Sequence, residues 1–149
     1  VGMRVIAADK FMEFATVQVA LFDGQTVDVD IKIQSQESLL AESDFVSLHV
    51  PAQKDYVIGA KEFNQMKDGA AIVNAARGGV IDEVALLKAL DSGKLSFAGL
   101  DTFEEEPKPA MQVLMHSKVS LTPHIGAATG EAQDRIGEEL AQQIAAILL

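Results

Sequence analysis

An arginine followed by two glycines, Arg77-Gly78-Gly79, stands between the apolar run AAIVNAA and the periodic segment EVALLKAL. A guanidinium grips a carboxylate through two parallel N–H bonds, and glycines beside it let a ligand approach the backbone. Other reactive residue types also follow apolar runs. Asp9 follows MRVIAA; His49 and Pro51 close FVSLHVP; Asp101 follows FAGL, with Glu104, Glu105, Glu106 and Pro107 just beyond. Thr122, Pro123, His124, Ile125 and Gly126 come after VSL. Histidine titrates near neutrality and can carry a proton between a substrate and a base. Each residue also has a plain reading: Arg77 as a surface or capping cation, His124 as a loop or core histidine, and Glu104–Glu106 as a solvated acidic loop. His49 and His116 read as structural, His116 at the surface. The shared position after strand-like runs is what joins the rest into one candidate site.

The elements that must carry these residues alternate between short apolar runs and helical patterns, which predicts an α/β sheet. Residues 3–9 read as a buried strand ending in Asp9. Val17, Val19 and Leu21, then Val27, Val29, Ile31 and Ile33, alternate on either side of Asp23-Gly24. That pattern predicts a β-hairpin over 16–33, either an insertion on a sheet edge or a subunit contact. Ser35 caps a short helix over 35–43, and a strand over 44–51 is stopped by Pro51. KEFNQMK makes a helical turn or two, broken at Gly69. A strand over 70–76 leads to a helix capped by Asp82 and ended by Gly93. Strands at 95–101 and 119–124 complete the set. A final helix from about Thr129 carries Ala132, Ile136, Leu140, Ile144 and Leu148 at intervals of four, a stripe that must face something. Parallel α/β sheets bind ligands outside the carboxyl ends of their strands, and that is where the reactive residues fall.

The bulk composition narrows the possible partners. The 149 residues carry a formal net charge of −10 with no basic cluster, so nucleic acid and anionic membranes are poor partners. There are no cysteines, which removes disulfides and thiolate metal sites. No apolar run approaches the roughly 20 residues of a membrane span, and the start lacks a signal-peptide layout. A cytoplasmic setting is expected. Both ends are apolar, which reads as a piece of a longer protein.

Three segments, NAARGGVIDEVALLKAL, GLDTFEEEP and TPHIGAATGEA, resemble in order and spacing the D-2-hydroxyacid dehydrogenases. The hairpin and the wording SDFVSLHVPAQ resemble the bacterial phosphoglycerate branch of that family. The resemblance covers nearly the whole chain and is weakest over the hairpin. It implies a Rossmann-like parallel sheet with flanking helices and NAD as cofactor, with no metal. It implies catalytic roles for Arg77, which holds the substrate carboxylate, for His124 as the proton carrier, and for Glu106 as the partner of that histidine. Asp9, Pro51, Ala76, Asp101 and Gly126 then contact the cofactor, Asp9 at the adenosine ribose and Asp101 at the nicotinamide carboxamide. An acid at Asp9 favours NAD over its 2′-phosphorylated form through like-charge repulsion. Glutamate at 106 suits a hydroxy-acid substrate better than formate. The implied reaction is NAD-dependent oxidation of a D-2-hydroxy acid, D-3-phosphoglycerate for serine biosynthesis, by a homo-oligomer.

The chain also departs from that family. The family's Gly-x-Gly-x-x-Gly turn lies about 20 residues before the ribose acid, yet only eight residues precede Asp9 and none form that motif. The first strand and helix of the nucleotide fold are therefore absent, which predicts a hole in the sheet. Residues 1–126 read as a truncated NAD-binding domain with the hairpin 16–33 inserted, and 127–149 as a C-terminal helix leading toward a missing substrate domain. The missing upstream half would be the natural partner, and the chain alone is expected to bind NAD weakly or not at all. A non-catalytic NAD-sensing module and a self-associating structural fragment are the alternatives.

Overall fold

The structure, a computed structural model, describes residues 2–148. In chain order the elements are β1 (Ala7–Ala8), β2 (Phe14–Ala20), β3 (Thr26–Gln34), α1 (Gln36–Glu42), β4 (Phe45–Leu48) and α2 (Ala60–Gln65). They continue with β5 (Ala70–Asn74), α3 (Glu83–Asp91), β6 (Leu95–Leu100), α4 (Met111–Leu114), β7 (Val119–Leu121) and α5 (Gly130–Leu148).

Local chemistry sets most of these boundaries. The Ser35 hydroxyl accepts the Ser38 amide at 3.2 Å to start α1, and the Asp82 carboxylate accepts the Ala85 amide at 2.9 Å to start α3. Each fills one of the orphan amides of a first helical turn. Gly93 turns the chain after α3 at φ +77°, a left-handed conformation that costs other residues a steric clash.

Strands β4, β5, β6 and β7 are parallel neighbours in that order. Chain order equals sheet order, and α2, α3 and α4 make the crossovers, so every strand delivers its carboxyl end to the same edge. Helices α1 to α4 contact one another in succession and cover one sheet face. Ile72, Leu86, Leu90, Leu95 and Val113 are fully buried in that layer, each stabilising the fold by roughly 1.5–3 kcal/mol. The opposite sheet face presents Phe45, Val73 and Phe97 at 73%, 39% and 41% exposure.

Several expectations are corrected. The strand expected over 3–9 is two residues long, and Met3 and Val5 are exposed rather than buried. A strand persists only where a neighbour takes up its backbone groups, and β1 pairs on one side only, with β3 at Ala7 and Ala8. The hairpin is present and slightly longer than expected. β2 and β3 pair antiparallel from Phe14–Lys32 to Ala20–Thr26, and the chain turns at Gly24 with φ +83°. It decorates no edge of the main sheet, because β1, β3 and β2 form a separate sheet of three strands. The stripe on α5 is left largely open: Ile136, Leu140 and Ile144 are each about half exposed. His116 is no free surface group. Its side chain is 16% exposed and bonds Asp91 at 3.2 Å, while its Nδ1 accepts the Lys118 amide.

Candidate active site

The edge built by the carboxyl ends of β4 to β7 carries the candidate residues on four loops. His49 and Pro51 follow β4, Ala76 and Arg77 follow β5, Asp101 and Glu106 follow β6, and His124 and Gly126 follow β7. Asp9 follows β1, in the other sheet.

Asn74, the last residue of β5 and 2% exposed, shapes the first of these loops. Its side-chain amide donates to the Arg77 carbonyl at 2.9 Å, and its oxygen accepts the Ala76 amide at 3.1 Å. This folds the turn back on itself and leaves Arg77 exposed, its guanidinium donating to the Ala76 carbonyl at 2.6 Å. Gly78 is required by close approach: a Cβ there would lie 1.8 Å from the Phe103 carbonyl oxygen. That contact brings the loop after β5 against the loop after β6.

Asp101 ties the loop after β6 to the loop after β7. Asp101 is 6% exposed. Its Oδ1 accepts the Thr122 hydroxyl at 2.5 Å and the Ile125 amide at 2.9 Å, and its Oδ2 accepts the Gly126 amide at 2.9 Å. Burial pushes this carboxyl up, but the three donated bonds outweigh burial and hold it below the usual carboxylate range. One acceptor position on Oδ2 is left for a further donor. Gly126 again has little room, since a Cβ would stand 3.0 Å from that oxygen.

The two tied loops bring Glu106 and His124 together. Glu106 Oε2 lies 2.8 Å from His124 Nδ1, and Glu106 Oε1 accepts the Phe103 amide at 3.0 Å. The bond to His124, reinforced by the Phe103 amide, lowers the Glu106 carboxyl from its ordinary value. A carboxylate on Nδ1 selects the ring form with hydrogen on that nitrogen, which leaves Nε2 to exchange a proton with a ligand. His124 holds φ at 56°, unusual for a residue with a side chain, so the turn places its ring at some conformational cost. Beside the pair opens a cavity of about 470 Å³, lined by Phe103, Pro107, Leu114, Leu121 and Pro123. It is apolar except where Glu106, Thr122 and His124 meet it.

Glu106 with His124, and Asp101 with Thr122, Ile125 and Gly126, thus form two bonded groups on adjoining loops. Arg77 shares their edge through the Gly78–Phe103 contact without bonding them. Pro51 is exposed and makes no contact with either group in these bonds. Asp9 is exposed on the other sheet, its Oδ1 accepting the Phe11 amide at 2.7 Å and the Met12 amide at 3.2 Å, so that Oδ2 faces no donor of its own loop. The acidic loop at 104–106 is not simply solvated: Glu104 Oε1 accepts the Glu83 amide at 2.7 Å, and the Glu104 amide donates to the Glu83 carboxylate at 2.8 Å. The sequence set Asn74 and Gly78 beside Arg77, and the glycine read as room for a ligand, whereas the structure uses that room for the Phe103 carbonyl. Glu104 read only as part of an acidic loop and Glu83 gave no signal, because their pairing spans 21 residues.

A parallel sheet with reactive loops on its carboxyl edge has the architecture of a nucleotide-binding α/β domain. Residues 1–126 match the model of the D-isomer specific 2-hydroxyacid dehydrogenase NAD-binding domain, and the chain belongs to that family. It is 39% identical over 145 residues to a D-3-phosphoglycerate dehydrogenase of Archaeoglobus fulgidus, covering 95% of this chain and 26% of that protein. It is 43% identical over 148 residues to a hydroxypyruvate reductase of Thermotoga maritima, covering 96% of this chain and 44% of that protein. A D-lactate dehydrogenase of Aquifex aeolicus, solved with NAD and lactic acid, superposes with a TM-score of 0.65 at 35% identity, over 79% of this chain and 41% of that one. The chain therefore spans about a quarter to under half the length of these relatives.

Proposed function

We propose that this chain is the cofactor-side half of an NAD-dependent enzyme that oxidises a D-2-hydroxy acid, with D-3-phosphoglycerate, for serine biosynthesis, as the favoured substrate. The observation that carries the reading is the 2.8 Å pairing of Glu106 with His124 on the ligand-binding edge of the sheet. A proton carrier held by its own carboxylate serves a reaction in which a hydroxyl loses its proton. Similarity to a phosphoglycerate dehydrogenase over nearly the whole chain supports the substrate, and the similar hydroxypyruvate and lactate relatives mark its competitors.

In this reading Arg77 turns its exposed guanidinium from the Ala76 carbonyl to the substrate carboxylate and orients the hydroxyl-bearing carbon. His124 Nε2 takes the hydroxyl proton as the carbonyl forms, and Glu106 holds the ring and stabilises its positive charge. Bound NAD supplies the acceptor for the hydride that leaves the same carbon. Asp9 fits the ribose end of NAD, because an exposed carboxylate oxygen without a local donor accepts hydroxyls well. Asp101 would accept from the carboxamide end, and Pro51, Ala76 and Gly126 would contact the cofactor between the two. The pyrophosphate has no glycine-rich turn here to receive it. That cradle and the substrate domain are proposed to come from an upstream half of the same protein. Residues 1–126 form the NAD-binding part and 127–149 the helix toward the substrate domain, in a cytoplasmic homo-oligomer.

The test uses a protein that carries both halves. With NAD and D-3-phosphoglycerate it should turn over, and His124→Ala should lower kcat by about 10²–10⁴-fold with KM for NAD unchanged. Normal turnover by the His124→Ala variant would sink the reading.

A further inference from the structure

Glu104 stands where three loops of the ligand-binding edge meet. Its Oε1 accepts the amide of Glu83, in the first turn of α3 beyond Arg77-Gly78-Gly79, at 2.7 Å. Its Oε2 accepts the hydroxyl of Tyr56, in the segment after β4, at 3.2 Å. Its own amide donates to Glu83 Oε1 at 2.8 Å. Glu83 is 7% exposed. A carboxyl so covered is costly unless it receives hydrogen bonds, and an amide in a first helical turn is an orphan donor. Each glutamate cures the other's deficiency, through two bonds that close a ring between segments 21 residues apart.

The ring lies next to the reactive pair. Glu104 is two residues from Glu106, and the Phe103 carbonyl just before it closely approaches the Gly78 backbone. Asp101 anchors the near end of this loop to the turn that carries His124. Glu104 anchors its far half to α3, and Glu106 lies beyond both fixed points. A loop free at Glu104 would let Glu106 drift from His124 while Asp101 kept the histidine turn in place.

We infer that Glu83 and Glu104 form a reciprocal clasp that sets the loop 101–107 against the Arg77 turn and so holds Glu106 on His124. Both are positioning residues, and Tyr56 extends the clasp to the loop after β4. Their relevance to proton transfer rests on the proposed dehydrogenase function, whereas the clasp is read out without turnover.

The experiment follows the Glu106 side-chain carboxyl by ¹³C NMR across a pH titration of the 149-residue chain. It compares the parent with Glu104→Ala, Glu83→Ala and Glu83→Gln. In the parent the bonds from His124 and the Phe103 amide should hold the Glu106 midpoint below the ordinary glutamate value. In both alanine variants its midpoint should move upward, and the Phe103 amide resonance should lose its hydrogen-bonded shift. Glu83→Gln keeps an oxygen that accepts the Glu104 amide and should restore the parent behaviour. Glu104→Ala lies at the exposed end and decides the matter where Glu83→Ala does not fold. A folded Glu104→Ala chain with the parent Glu106 midpoint, or Glu83→Gln behaving like Glu83→Ala, would overturn the clasp. Neither result depends on whether His124 proves catalytic.

Discussion

The Glu106–His124 pair joins a carboxylate and an imidazole in one contact between residues 18 apart. Because the folded Glu106 carboxyl sits below its ordinary value, its bond to His124 contributes stability above the unfolded glutamate range. That contribution disappears as pH falls through the folded value, where the carboxyl takes up a proton. Urea midpoints measured at descending acidic pH should therefore converge for the parent and His124→Ala, with the parent ahead only on the less acidic side. Parallel curves throughout would remove the ionic account of the pair. Glu83 has the opposite sign. Burial raises its carboxyl, with the charges of Glu104 and Glu105 adding to the rise and the Glu104 amide opposing it. It therefore favours folding below the unfolded glutamate value and costs stability as pH rises through its folded value.

At the scale of elements, the site depends on how tightly the loops after β5 and β6 meet. Gly78→Ala would drive a methyl group into the Phe103 carbonyl, and a backbone atom cannot swing aside as a flexible side chain does. The loop 101–107 must then shift as a unit, and a destabilisation of about 2 kcal/mol or more is expected from overpacking at a backbone contact. Chemical denaturation measures that loss. Gly79→Ala is a useful contrast: it meets open space and pays only for its positive φ of 72°. The helices and strands that present these loops were largely legible in the chain. Ser35, Asp82 and Gly93 mark helix ends by side-chain capping or backbone freedom, and strand alternation located β2 and β3. The four-residue α4 was not legible, for it starts at Ala110 with no side-chain cap and is too short to show a period.

For the molecule as a whole, three apolar surfaces stand open among the described residues: the sheet face with Phe45, Val73 and Phe97, the hairpin face with the pairs Val17–Val29 and Val19–Val27, and the stripe of Ile136, Leu140 and Ile144 on α5. Parallel sheets are ordinarily covered on both faces, and a contiguous apolar patch in water favours association. The isolated chain should self-associate with rising concentration in light scattering after size exclusion. Leu140→Glu combined with Ile144→Glu should reduce that association without altering the fold of residues 14–121. A parent chain that stays monomeric at every concentration would show these surfaces to be tolerated by themselves.

What the amino-acid order determined on its own is what depends on near neighbours. Capping residues, glycine stops and the alternation of the hairpin all act within a few residues of themselves. They sufficed to place the reactive groups after successive strands of an α/β sheet. Only the tertiary structure decided which loops touch. It made β1 a two-residue strand, because a strand extends only as far as its partners do. It took Glu104 out of an apparently solvated acidic loop and made it a mutual hydrogen-bond partner of Glu83, because a buried carboxyl and an orphan amide are satisfied by whatever the fold brings within 3 Å of them.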